Sequence, residues 1–154
     1  MSVSPHIFPS VTLNGLKKSL NLSSDTLKVL LISSGTYAWN STAEGHQFVS
    51  DFLGGSGGGS LTEVSTSGTG YTRQSLTSVS LADSALVTTL TCANPSWTSA
   101  TFSASYALFY DSAGGTDSAN QIICYWDFGS SQSVTSATFT LTINASGLAT
   151  WTSS

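Results

Sequence analysis

Charged side chains are scarce in this sequence. Only 8% of its 154 residues are Asp, Glu, Lys or Arg, where about 25% is usual. The basic residues are Lys17, Lys18, Lys28 and Arg73, and the formal net charge is −4. So few cations on an acidic chain cannot build the basic patch that neutralises phosphates, which argues against nucleic-acid binding. A surface with so little charge suits a protein that stays docked on a partner.

Long apolar runs are also missing. No segment approaches the ~18 consecutive apolar residues that mark a membrane-spanning helix. The N-terminal sequence MSVSPHIFPS lacks the basic start and apolar core of a secretion signal. We therefore expect synthesis in a cytosol and no membrane partner.

Cysteine is limited to Cys92 and Cys124. Two thiols without a C-x-x-C pair are too few for a cysteine-only zinc site. In a reducing cytosol both are expected to be buried, reduced and apolar in character. A disulfide between them is the alternative.

Ser and Thr, in contrast, supply about a third of the chain, and they alternate with apolar residues in several segments. Residues 100–110, 121–128 and 137–143 repeat an apolar or aromatic side chain at every second position. This period of two is typical of a half-buried strand, and Thr is favoured on the solvent-exposed face of such a strand. The residues predicted to face the core together are Ile122, Cys124, Trp126, Phe128, Phe102, Tyr106, Leu108, Phe139 and Leu141.

Further strands are predicted on either side of these segments. Residues 25–33 form a short run of branched apolar side chains, which predicts a strand buried on both faces. Residues 73–82 and 84–93 flank Asp83 and Ser84 as a predicted hairpin. Residues 111–120 are rich in turn formers and predict a loop between two strong strands.

Helical signals are short. Leu residues at helical spacing over 13–20 predict one turn at most. Residues 41–53 predict a second helix, because Ser41 and Glu44 form an S-x-x-E capping box. Gly54 stands where a helix C-terminus favours a left-handed residue, so we expect the helix to stop there.

These patterns together predict an all-β fold. Roughly seven or eight strands with one or two short helices indicate a single β-sandwich or jelly-roll-like domain over residues 21–154. Residues 1–20 show no fold of their own and are predicted to form an N-terminal arm.

The glycine-rich stretch raises the question of catalysis, because Gly54–Gly58 spells G-x-S-x-G around Ser56. A nucleophile elbow needs a strand before the Ser, a helix after it and a later His. Here a predicted helix precedes Ser56, and both His6 and His46 come earlier in the chain. We expect residues 54–60 to be a loop within the domain, and the protein not to be an enzyme.

Metal and cofactor signals are weak. His46 and Asp51 are five residues apart, which is poor spacing for shared ligation on a helix. Asp111 and Asp117 flank a turn but lack the D-x-D-x-D-G pattern of a calcium loop, and turn chemistry explains them as well. We therefore predict no metal and no cofactor.

Tryptophans are the strongest candidates for recognition. Trp126 follows the core alternation, whereas Trp97 precedes its strand and Trp151 lies near the C-terminus. Together with Ile7 and Phe8, Trp97 and Trp151 are the predicted interface residues.

Several motifs, in order, resemble a family of small structural proteins from tailed-phage virions. The sequences that carry the resemblance are DTLKVLLISS, HQFVSDF, EVSTSGTGYTRQSLT, PSWTSATFSASYALFYDS, QIICYWDFG and FTLTINASGLATW. They cover most of residues 25–151. The resemblance implies a non-enzymatic β protein of the particle, often on the head. The glycine-rich run 54–60 departs from it by being longer.

The expected function is capsid decoration or cementing on the outer head surface. The partners are the major capsid protein and further copies of the chain, as a homotrimer suited to three-fold lattice positions. An acidic chain facing packaged DNA would be repelled, which favours the capsid exterior. The alternative is a carbohydrate- or receptor-binding module of a tail fibre or spike.

Overall fold

The computed structural model describes residues 4–37, 39, 45–54 and 60–152. Within these residues nine strands form two sheets, accompanied by two short helices, so the predicted all-β class is confirmed. The strands are β1 (Ser4–Ile7), β2 (Leu27–Ser34), β3 (Thr62–Glu63), β4 (Gln74–Ser75), β5 (Ser80–Ser84), β6 (Val87–Thr91), β7 (Ser96–Asp111), β8 (Ile122–Thr140) and β9 (Ala149–Thr152). The helices are α1 (Ser10–Leu16) and α2 (Val49–Leu53).

The larger sheet is built on one long hairpin. Its strand order is β1-β8-β7-β2-β3, with β4 also pairing with β2, and every pairing is antiparallel. β7 and β8 are 16 and 19 residues long, and the turn-rich loop predicted at residues 111–120 joins them. Register shifts between Trp97 and Ala100 and between Ala104 and Tyr106 interrupt the ladder. Such irregularities bend a strand and increase its twist.

The smaller sheet has the order β5-β6-β9. β5 and β6 form the predicted hairpin, but its turn lies at Ala85 and Leu86 instead of Asp83 and Ser84. Both turn residues have positive φ, at 49° and 69°. Two residues with positive φ are the hallmark of the type I′ turn, whose twist matches that of the strands it joins.

The centre of the larger sheet is buried on both faces. Val29, Phe109 and Cys124 lie side by side on one face, on which Trp126 donates its Nε1–H to the carbonyl of Leu148 at 3.1 Å. On the opposite face, the rings of Tyr37 and Phe52 lie 5.0 and 5.5 Å from that of Tyr125. The sequence predicts that Tyr106 and Leu108 face the same core as Cys124 and Trp126, and this is wrong: the register puts them on the opposite face, beside Tyr125. Both faces carry apolar side chains, so the alternation in each strand does not show which faces the two strands share.

The end of β8 departs from the predicted core. Ala137 is exposed, and Phe139 and Ile143 are half-buried, whereas Leu141 is fully buried. Residues 130–140 continue β8 and pair with β7. Of the predicted core residues, Phe139 is thus only partly enclosed, because this part of the ribbon extends beyond the two-sided packing at the sheet centre. The other predicted core positions on β7 and β8 are buried.

Residues 4–20 are part of the packed structure, so the prediction of an arm without a fold is wrong for them. β1 pairs with β8, with Ile7 opposite Cys124. Phe8 is fully buried, and its N–H donates to the carbonyl of Ile123 at 3.1 Å. A four-residue strand interrupted by Pro5 and His6 carries too few apolar residues for its pattern to be seen in the sequence.

Both helices differ from the predictions: α1 is longer than the single turn predicted over 13–20 and begins earlier, whereas α2 is shorter than the predicted 41–53. The predicted capping pair Ser41 and Glu44 lies outside the described residues. α2 begins instead beside Asp51, whose carboxylate accepts the N–H groups of Gln47 and Phe48 at 3.0 and 2.9 Å. It ends before Gly54 as predicted, but Gly54 has φ −65° and is not left-handed. Neither described helix has both the length and the apolar character needed to cross a membrane.

Candidate functional site

Two of the four predicted interface residues are core residues. Phe8 is 0% and Trp97 1% exposed. The Trp97 indole N–H donates to the carbonyl of Thr72 at 2.7 Å, and its ring packs against Phe102 and Phe139. The prediction that Phe8 and Trp97 meet a neighbour is therefore wrong, because their own chain already encloses them.

Trp151, in contrast, lies in a surface groove between α1 and β9, here called the α1–β9 groove. Its volume is about 650 Å³. Leu16 at the end of α1 is 80% exposed, and Leu13, one turn earlier, is 47% exposed. The lining residues are Val11, Thr12, Gly15, Leu16, Leu22, Thr88, Trp151 and Thr152. Sequence reasoning identified Trp151 but not the leucines, because the helical pattern there seemed too weak to give α1 a surface.

Charge beside this groove is positive. Lys17 and Lys18 directly follow Leu16 and are both exposed. Arg73 is occupied elsewhere, because its guanidinium forms paired contacts with Glu63 at 2.7–2.9 Å and with Asp117 at 2.6–2.9 Å. The lysine pair thus gives an acidic protein a locally basic surface next to exposed apolar side chains.

The carboxylates considered for metal binding have other partners. The Arg73 guanidinium lowers the pKa of Asp117 below its usual range. Asp111 is buried, which raises its pKa, and its Oδ1 accepts the N–H of Ala113 at 2.9 Å, as expected of a turn residue. His46 Nδ1 lies 2.9 Å from the Tyr37 hydroxyl. Among the residues that the structure describes, no group of three or more His, Cys, Asp or Glu side chains could hold a metal ion.

The two cysteines are buried free thiols, as the sequence predicted. Burial raises the pKa of Cys92 to about 11 and that of Cys124 further above its ordinary value. Since the thiolate is the reactive form, neither side chain is suited to act as a nucleophile at neutral pH. Ser56 lies outside the described residues.

A second depression, here called the inter-sheet cleft, lies where β1 approaches the segment leading into β9. Its volume is about 780 Å³. The lining residues are Pro5, Ile7, Trp126, Gln132, Phe139, Thr140, Thr142, Asn144, Ser146, Gly147, Leu148, Ala149 and Thr150. It contains Ile7, the remaining predicted interface residue. Its other walls come from segments far apart in the chain, so the sequence offered no local signal for them.

A third feature is an aromatic stack on the opposite face of the larger sheet. The rings of His6, Trp39 and Tyr125 contact one another, with centroid distances of 5.5 Å for His6–Trp39, 4.8 Å for His6–Tyr125 and 5.8 Å for Trp39–Tyr125. His6 and Trp39 are half-buried, so part of the stack reaches the surface.

Comparisons of the chain with protein-family models, with curated proteins and with solved structures give no match. Its function is therefore inferred from its own surfaces and from the motifs described above.

Proposed function

We propose that this chain is a structural, non-enzymatic protein of a tailed-phage virion, which decorates the outer surface of the head and stabilises contacts between capsid subunits. The observation that carries the proposal is the α1–β9 groove. The assignment to a virion is based on the sequence motifs. The groove is the surface through which we propose that the protein docks on the head.

The groove has the chemistry of a docking surface. Leu16 exposes most of its side chain, and Leu22 and Trp151 lie half-buried beside it. Burying apolar surface contributes about 25 cal/mol per Å², and Trp is enriched among residues that dominate interface energies. On a surface otherwise rich in hydroxyl groups, this cluster of apolar side chains would be stabilised by burial against a partner.

The lysine pair indicates the character of that partner. Lys17 and Lys18 adjoin the groove, so the complementary surface would place an apolar side chain in the groove and carboxylates opposite the lysines. Complementary charge sets register and association rate more than affinity. We assign this complementary surface to the major capsid protein.

Location and assembly follow from charge and symmetry. A chain with net charge −4 would be repelled by packaged DNA, which supports the exterior of the head. A homotrimer on a three-fold lattice position would bring three such grooves onto neighbouring capsid subunits, so that weak contacts add by avidity.

The proposal is tested on particles that lack the protein. Wild-type protein added back should bind the head in an electron-microscopy map and raise the temperature at which DNA is released. Leu16→Ser should weaken binding by roughly tenfold, since it removes an apolar anchor. Leu81→Ser is the matched control, because Leu81 is 40% exposed but lies on β5, which β6 separates from β9.

Two outcomes would contradict the proposal. The chain could be found on the tail, or adding it back could leave the temperature of DNA release unchanged. The tail-fibre or spike module would then be the better candidate, and the half-exposed stack of His6 and Trp39 is the observation that favours it.

A further inference from the structure

We propose that the inter-sheet cleft is a binding site for a neutral saccharide. This inference goes beyond head decoration and does not depend on it, because the cleft has the same chemistry wherever the chain sits on a particle.

The cleft lies between two sheet edges. β1 is an outer strand of the larger sheet and β9 an outer strand of the smaller one, and both contribute lining residues. Its volume of about 780 Å³ falls within the range of roughly 300–1,000 Å³ that is usual for small-molecule sites. The space is therefore large enough for an oligosaccharide segment and is formed without any rearrangement.

One wall is apolar and held in place. Trp126 has its indole N–H bonded to the Leu148 carbonyl at 3.1 Å, which fixes the ring. Phe139 is half-buried, and its ring packs 5.2 Å from that of Phe102. Pro5 and Ile7 complete this wall. Trp126 is only 5% exposed, so the apolar side chains that can meet the C–H face of a sugar ring are Pro5, Ile7 and Phe139.

The other wall carries hydroxyl and amide groups. Its side chains are Gln132, Thr140, Thr142, Asn144 and Ser146. Each can both donate and accept hydrogen bonds, as sugar hydroxyls do. Asn144 Oδ1 accepts the N–H of Ser146 at 2.8 Å, which orients the amide plane before any ligand arrives.

Charge decides which ligands fit. None of the lining residues of the cleft is Asp, Glu, Lys, Arg or His. A phosphate or a uronic acid that moved from water into the cleft would meet no group of opposite charge there. Burying an unpaired charge is strongly unfavourable. The chain as a whole also carries a net charge of −4. The ligand class is therefore neutral.

An extended peptide is the competing occupant. Phe8 bonds to β8 through its N–H, and alternate residues of an antiparallel strand turn their backbone groups away from the partner. Ile7 thus directs its N–H and C=O outward, where a peptide could pair with them. The exposed hydroxyl and amide side chains that line the cleft favour the saccharide, because backbone pairing with β1 would make no use of their hydrogen-bonding groups.

The test uses four neutral probes and one acidic probe. Maltotetraose, cellotetraose, mannotetraose and chitotetraose are titrated against the full chain by calorimetry and by NMR, with tetragalacturonate as the acidic counterpart. We expect saturable binding of at least one neutral probe and at least roughly tenfold weaker binding of tetragalacturonate. Shifted NMR signals should map to Ile7 and to the Trp126 indole.

Variants locate the site. Thr142→Val keeps the side-chain shape and removes one hydroxyl, and it should weaken binding by roughly fivefold to tenfold. Phe139→Ala should weaken it as well. Thr138→Val is the matched control, because Thr138 is an exposed threonine on β8 outside the cleft. Circular dichroism checks that each variant is folded.

Three results would overturn the proposal. The first is the absence of binding by every neutral probe at millimolar concentration. The second is binding that Thr142→Val and Phe139→Ala leave unchanged, which would place the sugar elsewhere. The third is binding of an extended threonine-rich peptide at this cleft in preference to all of the saccharides.

Discussion

Arg73 joins three parts of the chain through one side chain. Its guanidinium contacts Glu63 and Asp117, and the Tyr71 hydroxyl donates to the same Glu63 at 2.7 Å. The Tyr71 oxygen in turn accepts the N–H of Leu31 at 3.0 Å. The sequence showed the acid, Tyr and Arg close together, but Asp117 lies 44 residues from Arg73. Only the fold brings it there, which is why the sequence indicated no more than a turn role for Asp117.

The Asp117 carboxylate makes stability depend on pH. Its pKa is lowered from 3.8 by Arg73, so its contribution is present above that value and lost as pH falls through the lower, folded pKa. Asp117→Asn should reduce the free energy of unfolding at pH 7 by about 1 kcal/mol. It should also flatten the decline between about pH 5 and pH 2. Urea denaturation at several pH values measures both effects.

Asp111 has the opposite effect on the pH dependence of stability, so its contribution must be distinguished from that of Asp117. Burial raises its pKa, so its contribution is present at low pH and is lost as pH rises through the raised value. Asp83→Asn is the control, because Asp83 lies exposed on β5. If the free energy of unfolding falls as steeply with decreasing pH in Asp117→Asn as in the wild type, the Arg73 contacts contribute little to stability.

Burial at single residues predicts unequal effects of truncation. Phe109 is fully buried and packs 5.2 Å from Trp126, whereas Phe139 is half-buried. Phe109→Ala should reduce the free energy of unfolding by about 3–5 kcal/mol, and Phe139→Ala by less. Chemical denaturation of the two variants side by side tests the order. Equal losses would mean that Phe139 is as enclosed as Phe109.

At the scale of elements, the long strands were the most predictable part. Residues 100–110 and 121–128 follow the alternation clearly, and β2 has the continuous apolar pattern of a strand buried on both faces. Short elements were not predictable. β1 and α1 depend on contacts with β8 that the local sequence pattern does not predict. α2 is stabilised at its start by Asp51, whereas the predicted cap Ser41 lies outside the described residues.

The β5–β6 turn carries strain that can be relieved. Ala85 and Leu86 adopt positive φ, which side chains with a Cβ disfavour, and Leu86 is 69% exposed. Replacing them with Asn-Gly should raise the free energy of unfolding by about 0.5–1 kcal/mol, since this pair is preferred in type I′ turns. Thermal unfolding with calorimetry measures the gain.

Leu81→Gly is the matched control for this turn. Leu81 is an exposed leucine of the same hairpin, but it lies within β5, where glycine weakens the strand. The control should lower the melting temperature. A turn variant that also lowers it would mean that Leu86 makes stabilising contacts which outweigh the strain.

At the scale of the whole molecule, the two sheets create surfaces that no single segment contains. The inter-sheet cleft combines side chains from β1, β8 and the segment before β9, and the α1–β9 groove combines both ends of the described chain. The sequence analysis predicted one lining residue of each surface: Ile7 in the inter-sheet cleft and Trp151 in the α1–β9 groove. It wrongly assigned Phe8 and Trp97 to an interface. When an aromatic residue lies outside a clear alternation, the sequence does not show whether its side chain is buried by its own chain or by a partner.

The pairing of β1 with β8 also affects the order in which the chain folds during its synthesis. Ile7 lies far ahead of its partner Cys124 in the chain. At about 5–20 residues per second, the ribosome makes Cys124 roughly 6–23 seconds after Ile7. Throughout that interval the Phe8 N–H lacks its acceptor, the Ile123 carbonyl, although Tyr37 and Phe52, which pack against its ring, are made before that acceptor. β1 is thus made well before the strand that fixes it in place.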